Sequence, residues 1–457
     1  MAYNRKQRLN DNIKAIETAF ILDREQRTPT ARERLLLERY CGFGGLKCIL
    51  NPARELADAV HWAKSDLELF APTVELHRLI RENSKNESEY KQLMDSLKQS
   101  VLTAFYTPSA VTEALTDVLK EHQIIPEKVL EPSAGIGAFV DSVLDNNPKA
   151  DIMAFEKDLL TGKILRHLHP EQKVRIEGFE KIEKPFNDYF DLAISNIPFG
   201  DVAVFDPSYT AMKGMRALVT RRIHNYFFVK ALDTVRDGGL VAFITSQGVL
   251  NAKNNSAARF MMLYHADLVS AIRLPNNLFT ENANTEVGSD LIILQKNSQK
   301  ESLRGDDNLL DTVYNDENRI PTNNYFLEHP ERIIHTTAKL DTDPFGKPAM
   351  IYTHEDGVEG IAEDLRKMLH EDFKKNLNLN RYLGIEETKA EEVKEVEETE
   401  KIEKTEKMKP SIEEKQNDTV VSLQKQEKPT DDAELSQKSN HQQPPVQMTL
   451  FDLWGME

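Results

Sequence analysis

The sequence predicts an α/β fold: a largely parallel, doubly wound sheet, with a helical extension before it and a disordered acidic tail after it. Three observations carry this. Residues 5 to 100 place apolar side chains at helical spacing, and from Leu102 onward short apolar runs alternate with amphipathic stretches. From Glu386 to Pro445 the chain contains no Phe, Trp or Tyr and becomes rich in Glu, Lys and Gln, too little apolar surface to order itself.

In chain order, the extension (1–100) shows the three-and-four spacing in Ile13, Ile16 and Phe20 and again in Leu36, Leu37 and Tyr40. Cys41-Gly42-Phe43-Gly44-Gly45-Leu46 interrupts it as a glycine-rich turn. In the central region (101–300) the expected strands are Lys128 to Leu130, Asp151 to Phe155, Leu192 to Ser195, Leu240 to Thr245, Asp267 to Arg273 and Asp290 to Leu294. Strands separated by helices imply parallel pairing. Residues 301–385 are more polar, with a last helix expected from Glu359 to Leu369, and fit either a small subdomain or an extension wrapped around the sheet. A linker (386–446) and a compact apolar terminus (447–457) follow.

The chain of 457 residues is long enough for two or three domains and a large core. Its two cysteines, Cys41 and Cys48, leave no room for a disulfide framework and lack the four-ligand pattern of structural zinc, so no metal is expected. A polar, basic start without an apolar h-region, and the absence of any long apolar run, point to the cytoplasm. The net charge of -17 argues against broad attraction to nucleic acid. The residues from Glu386 onward hold 19 acidic and 10 basic side chains, so roughly half of that excess lies in the tail. Any DNA contact must then come from a local basic patch.

Three motifs carry chemistry. In Val129-Leu130-Glu131-Pro132-Ser133-Ala134-Gly135-Ile136-Gly137 a strand runs into a glycine turn that opens a helix. Gly135 and Gly137 suit close approach of a nucleotide-like ligand, though an ordinary strand-to-helix turn has the same form. About 20 residues later, Glu156 ends the next strand, where a carboxylate accepts hydrogen bonds from ribose hydroxyls or simply faces solvent. The third motif is the strand Asp191 to Ser195 running into Asn196-Ile197-Pro198-Phe199-Gly200.

This last segment resembles the Asn/Asp-Pro-Pro-Tyr/Phe signature of amino-methyltransferases that act on DNA. The other pieces then fall into that family's order across roughly residues 100 to 296. Phe105-Tyr106-Thr107-Pro108 looks like its first cofactor motif. Glu131, Pro132, Ser133, Gly135 and Gly137 look like its cofactor loop, and Gly178-Phe179-Glu180 sits where the family contacts the cofactor's adenine. Asn225 to Phe228, Gly238 to Ile244 and Leu274 through Phe279 to Asp290 resemble its later helix, strand and closing hairpin. The order is that of gamma-type N6-adenine enzymes. The resemblance implies a Rossmann-like sheet binding S-adenosyl-L-methionine, with Tyr106, Thr107, Pro108, Glu131, Glu156, Phe179 and Glu180 at the cofactor.

It also implies the chemistry. An arylamine lone pair is delocalised into its ring, so the site must draw it toward tetrahedral geometry. In the family, the asparagine oxygen and the next backbone carbonyl accept the amine protons while the aromatic stacks on a flipped-out base. By position these are Asn196, the carbonyl of Ile197, and Phe199 after Pro198. Methyl transfer would be direct and in line, without metal or covalent enzyme intermediate, and Cys41 reads as a packed thiol. Ile197 departs from the usual proline; it supplies the same carbonyl but restricts φ less and has a free N–H, implying a less rigid loop. With Gly42 to Leu46, this variant looks like the form in methylase-like proteins of plasmids, phages and conjugative elements.

For DNA contact the best patch is Lys213, Arg216, Arg221, Arg222 and His224, which fits phosphate binding or merely solvated helix charges. Other substrates of the same motif, an RNA base or a protein glutamine amide, stay open, as does a decayed fold serving as a DNA-binding or anti-restriction module. Readout of a target sequence has little room in 301–385, which points to low specificity or a specificity partner. The terminal Gln447-Met448-Thr449-Leu450-Phe451 is similar to the Gln-x-x-Leu-Phe peptide that docks bacterial replication proteins on the sliding clamp, and equally fits a segment folding back on the body.

Overall fold

The computed structural model describes residues 4–385, apart from 104, 213, 281–285, 304–306, 315–319 and 344–345. The linker and the terminal Gln447 to Phe451 segment, with its clamp reading, lie outside the described residues, as does Lys213. A seven-stranded sheet runs in the order β3-β2-β1-β4-β5-β7-β6, built from β1 (Lys128–Glu131), β2 (Asp151–Phe155), β3 (Lys173–Arg175), β4 (Phe190–Asn196), β5 (Val235–Ser246), β6 (Ala266–Leu274) and β7 (Ser289–Lys296). Strands β3 to β5 pair in parallel, and β7 inserts antiparallel between β5 and β6. The expected strands are present, each extended by a residue or more except β2, whose bounds match. Strand β3 was not expected: Lys-Val-Arg is three residues long, and none of them is buried, so it carries no apolar run.

Alternation along the central strands feeds two cores. On one face Ile152, Leu192, Ile194 and Ala242 meet α5 (Ser109–Glu121), α6 (Ala138–Asn146) and the helix Gly357–Asn376. On the other, Phe155, Ala193, Phe243 and Ile292 meet Tyr226, Phe228 and Met262 of the helices Ile223–Thr234 and Ser256–His265. The C-terminal extension is therefore wrapped around the sheet rather than a separate subdomain. Its helix, longer than the expected 359–369, buries Leu365, Leu369 and Phe373, each contributing roughly 1.5–3 kcal/mol. Ser270 hydrogen-bonds Asp372 at 2.7 Å, and Arg236 reaches the Tyr382 carbonyl at 2.8 Å.

The N-terminal extension supplies α1 (Arg5–Glu25), α2 (Ala31–Leu37), α3 (Phe70–Glu82) and α4 (Glu87–Thr103). Leu9, Ile16, Phe43, Leu76 and Leu97 share a core with Leu160, Ile164 and Leu168 of α7 (Leu159–Leu168). The glycine-rich turn belongs to this packing. Gly42 and Gly45 adopt φ of 67° and 75°, Asn12 clasps the turn through the Gly42 carbonyl (2.6 Å) and Cys41 N–H (2.9 Å), and Phe43 N–H donates to Ser100 (3.1 Å). Burial pushes the Cys41 thiol up, and Arg8 donates to its sulfur at 3.2 Å. No helix among the described residues is long and apolar enough to cross a membrane.

Candidate active site

The carboxyl ends of β1, β2, β4 and β5 meet at one sheet edge, where open α/β sheets bind ligands. At β1 the chain turns through Pro132 to Gly137 into α6. Ala134 N–H donates to the Phe155 carbonyl and Gly135 N–H to the Glu156 carboxylate, both at 2.8 Å, so the turn is stitched to the end of β2. Both glycines have positive φ, 57° at Gly135 and 93° at Gly137. The room they leave is taken by the protein's own side chains: a Cβ at Gly135 would lie 2.9 Å from the Tyr106 ring, and one at Gly137 would lie 2.5 Å from His169 Nε2. Close approach is required here, and protein side chains already make it.

Glu156 bridges this turn and α7, accepting from Gly135 N–H and, at 2.7 Å, from Asp158 N–H. Burial and the Asp158 carboxylate push its pKa up to about 8. Each oxygen retains acceptor capacity for a further donor. Glu131 is 2 % exposed. Burial, with the Asp141 and Glu156 charges, holds its carboxyl well above the usual range. Its Oε2 and the hydroxyl of buried Thr107 have no hydrogen-bond partner among the described residues. Buried polar atoms are rarely left so. An acid and a hydroxyl beside the glycine turn fit a ligand end that carries an ammonium and a carboxylate.

Pro108 caps α5, and Tyr106 lies over Gly135 with its hydroxyl 3.4 Å from Thr161, which Tyr40 of the extension also reaches at 3.4 Å. Phe179 is buried against Phe155, Tyr226 and Phe227, so its ring belongs to the aromatic core. Glu180 lies 3.8 Å from Lys157.

At the end of β4, Asn196 pairs in register with Ile244 of β5. Its amide nitrogen donates to the Phe105 carbonyl at 2.9 Å, so its oxygen faces the other way with no partner among the described residues. Ser195 Oγ donates to the Ser133 carbonyl at 3.0 Å, tying this turn to the glycine turn. Ile197 is 1 % exposed, and its N–H donates to the Ile244 carbonyl at 3.0 Å. The N–H that proline would lack therefore extends the β4–β5 ladder, and the expectation of a looser loop gives way to a pinned one. Beyond Pro198, half-buried Phe199 stands edge-on to Phe279 (centroids 6.3 Å apart, planes at 76°), which Phe105 also meets at 6.5 Å. Sequence reasoning quoted Phe105 and Phe279 but assigned neither to this aromatic wall, because the contacts join segments far apart in the chain.

The basic patch divides. Arg216 is held by two hydrogen bonds to Asp233 (2.6 and 3.0 Å). Arg222 pairs with Asp201 at 3.0 Å and bonds Asn255 at 2.7 Å. His224 is 3 % exposed, and burial lowers its pKa to about 4, so it carries no charge at neutral pH. Arg221 is exposed. Among the described residues no cluster of three or more His, Cys, Asp or Glu could hold a metal ion.

Residues 88–391 match the family model of N-6 DNA methylases. The chain is 29 % identical over 201 residues to the Defense against restriction protein B of Escherichia phage P1, a stretch that covers 43 % of this chain and 8 % of the phage protein. It is 25 % identical over 173 residues to the type II methyltransferase M.XamI of Xanthomonas campestris pv. amaranthicola, covering 35 % of this chain and 33 % of that protein. The matched stretches thus span a third or less of these two relatives. Solved structures similar to it include one from Listeria monocytogenes described as a class I S-adenosylmethionine-dependent methyltransferase (TM-score 0.38, 15 % identity, 66 % of this chain and 91 % of that one). Another is a type I restriction enzyme modification subunit from Vibrio vulnificus (TM-score 0.37, 15 % identity, 75 % and 89 %).

Proposed function

Because the chain belongs to the N-6 DNA methylase family, we propose that it methylates the N6 amine of an adenine flipped out of DNA. The observation that carries this reading is the Asn196 amide. With its nitrogen spent on the Phe105 carbonyl, its oxygen is the acceptor offered at the sheet edge, and the Ile197 carbonyl follows it on a turn pinned by the Ile197 N–H. Two acceptors that take the two amine protons leave the nitrogen lone pair directed away from the ring. Half-buried Phe199 supplies aromatic surface for the base, with buried Phe279 packed edge-on behind it. Preorganised acceptors of this kind act without reorganising at the moment of reaction.

S-adenosyl-L-methionine, when bound, supplies an electrophilic methyl group that passes directly to N6, in line and without a covalent enzyme intermediate. The residues present fit it: Thr107 and Glu131 would take its amino-acid end, and Glu156 its ribose hydroxyls, on oxygens already steadied by two backbone N–H groups. Pro132, Ser133, Gly135 and Gly137 shape the turn around it. Among the described residues of the basic patch, Arg221 is the cation left to meet a DNA phosphate.

The test is transfer of labelled methyl to unmethylated duplex DNA, with N6-methyladenine measured by mass spectrometry. Asn196→Ala should cut turnover about 10²–10³-fold while cofactor binding by calorimetry is unchanged. Methylation that survives the substitution would remove Asn196 from the mechanism. The similarity to the phage protein favours a second reading, an anti-restriction module on the same fold. Cofactor binding with no methyl found in DNA, RNA or protein would select it.

A further inference from the structure

The segment between the Asn196 to Phe199 turn and the helix Ile223–Thr234 is held firmly for a loop, yet it turns apolar side chains to solvent. It leaves the turn through Gly200 at φ 138°. Asp201 pairs with Arg222 at 3.0 Å, and Val204 N–H donates to the Thr220 carbonyl at 2.8 Å. Asp206, 3 % exposed, accepts from the Tyr226 hydroxyl at 2.7 Å and from Lys230 at 3.3 Å. From Val204 to Asp206 the side chains alternate as in a strand. Val204 packs inward on the aromatic core, Asp206 points inward, and Phe205 between them points out, 77 % exposed. Val202 is 61 % exposed.

An aromatic ring held outward on a braced segment, six residues from Phe199, cannot relax onto the core. The Val204 to Thr220 hydrogen bond ties together the two stretches that carry Phe205 and Arg221, each residue following a bonded one in sequence; Arg221 is exposed and makes no ion pair among the described residues. A planar apolar group and a free guanidinium carried on two stretches tied together in this way suit a base stack and its phosphate. It does not suit a polar peptide bearing a glutamine amide.

We propose that Phe205 is the wedge that enters the duplex where the target base leaves the stack, while Arg221 holds an adjoining phosphate. Removing a base leaves its neighbours unstacked, and an inserted apolar side chain replaces the lost contact whatever their identity. Phe205 is a positioning residue: it acts on the duplex, not on the amine. The inference rests on the DNA methylation reading above.

The experiment uses the full chain, its cofactor and a duplex whose methylated adenine has been mapped, in two forms: fully paired, and with an abasic site opposite that adenine so that it is already unpaired. On the paired duplex Phe205→Ala should slow single-turnover methylation about tenfold, and Phe205→Trp should hold the wild-type rate. On the unpaired form the Ala variant should recover the wild-type rate, with cofactor affinity equal throughout as the measure of folding. A Phe205→Ala variant that matches wild type on paired DNA, or that loses equally on both forms, overturns the wedge. If wild-type protein leaves no methylated adenine to map, the reading it rests on fails at once, without any variant, and the wedge falls with it.

Discussion

Two turns leave the same sheet edge, and they are built in opposite ways. The turn after β1 faces inward: Glu131 and Thr107 are buried with atoms lacking partners, Glu156 is drawn into backbone hydrogen bonds, and its glycines make room for Tyr106 and His169. The turn after β4 pins its first residues just as firmly, through Asn196 and Ile197, but then opens into a braced segment that shows Phe205 and Val202 to solvent. Buried polar groups without partners among the described residues suit a small ligand that must be enclosed. A rigid outward face suits a partner too large to enclose. On the proposed reading the difference teaches where each ligand would stop: the cofactor inside the protein, and the DNA on its outer face.

The largest test of this contrast is Ile197→Pro, which would restore the family's usual residue. By the family's signature alone that change looks like a repair. Here it removes the N–H that bonds the Ile244 carbonyl at 3.0 Å, in a residue 1 % exposed. The variant should lose on the order of 2–3 kcal/mol of stability in chemical denaturation and should methylate no faster. An unchanged denaturation midpoint would mean that the β4 turn is not pinned in the way the ladder implies.

A smaller effect separates the two kinds of basic residue on the braced segment. Arg216→Ala breaks the paired contact with Asp233 and its neighbour Tyr209, and should cost about 1 kcal/mol of stability with the salt dependence of DNA binding unchanged. Arg221→Ala should leave stability alone but reduce the slope of log affinity against log salt by about one. If the two variants exchange these phenotypes, the outward face has been drawn on the wrong residues.

These pairs mark the limit of what was legible in the sequence. The glycine turn, Glu156 and the Asn196 segment are local patterns, and local patterns survive reading one chain. The six longer strands were visible because each contains at least two adjacent apolar residues, whereas β3 offers only Val174 between two cations. Lys213, Arg216, Arg221 and Arg222 look alike in sequence. What distinguishes them is Asp233, 17 residues beyond Arg216, and Asn255, 33 beyond Arg222, partners brought near only by the packing of helices. The proline position shows the same limit: Ile197 reads as a loss of stiffness until Ile244 on the next strand is seen to accept its N–H. The wrapped helix Gly357–Asn376 was visible as a helix, but its destination against α5 and β6 is set by a core shared across some 250 residues of chain.

The subtlest test lies in the inward turn, at Glu156. Its pKa of about 8 in the folded chain stands above 4.5, the value expected when it is exposed. Between those values the folded state keeps a proton that the unfolded state has released, so stability falls as pH rises through that window. The contribution is complete below 4.5 and is lost as pH passes about 8. Without cofactor, thermal midpoints from pH 5 to 9 should therefore decline more steeply for wild type than for Glu156→Gln, which cannot titrate. The difference between them should widen in the variant's favour until about pH 8 and then level off. Ribose hydroxyls donating to the carboxylate would favour its ionised form, so saturating S-adenosyl-L-methionine should flatten the wild-type curve and leave the variant's nearly unchanged. A difference that stays flat with pH would mean that the N–H groups of Gly135 and Asp158 keep Glu156 ionised throughout. The inward turn would then hold a carboxylate ready-made for its ligand instead of one that must lose a proton to receive it.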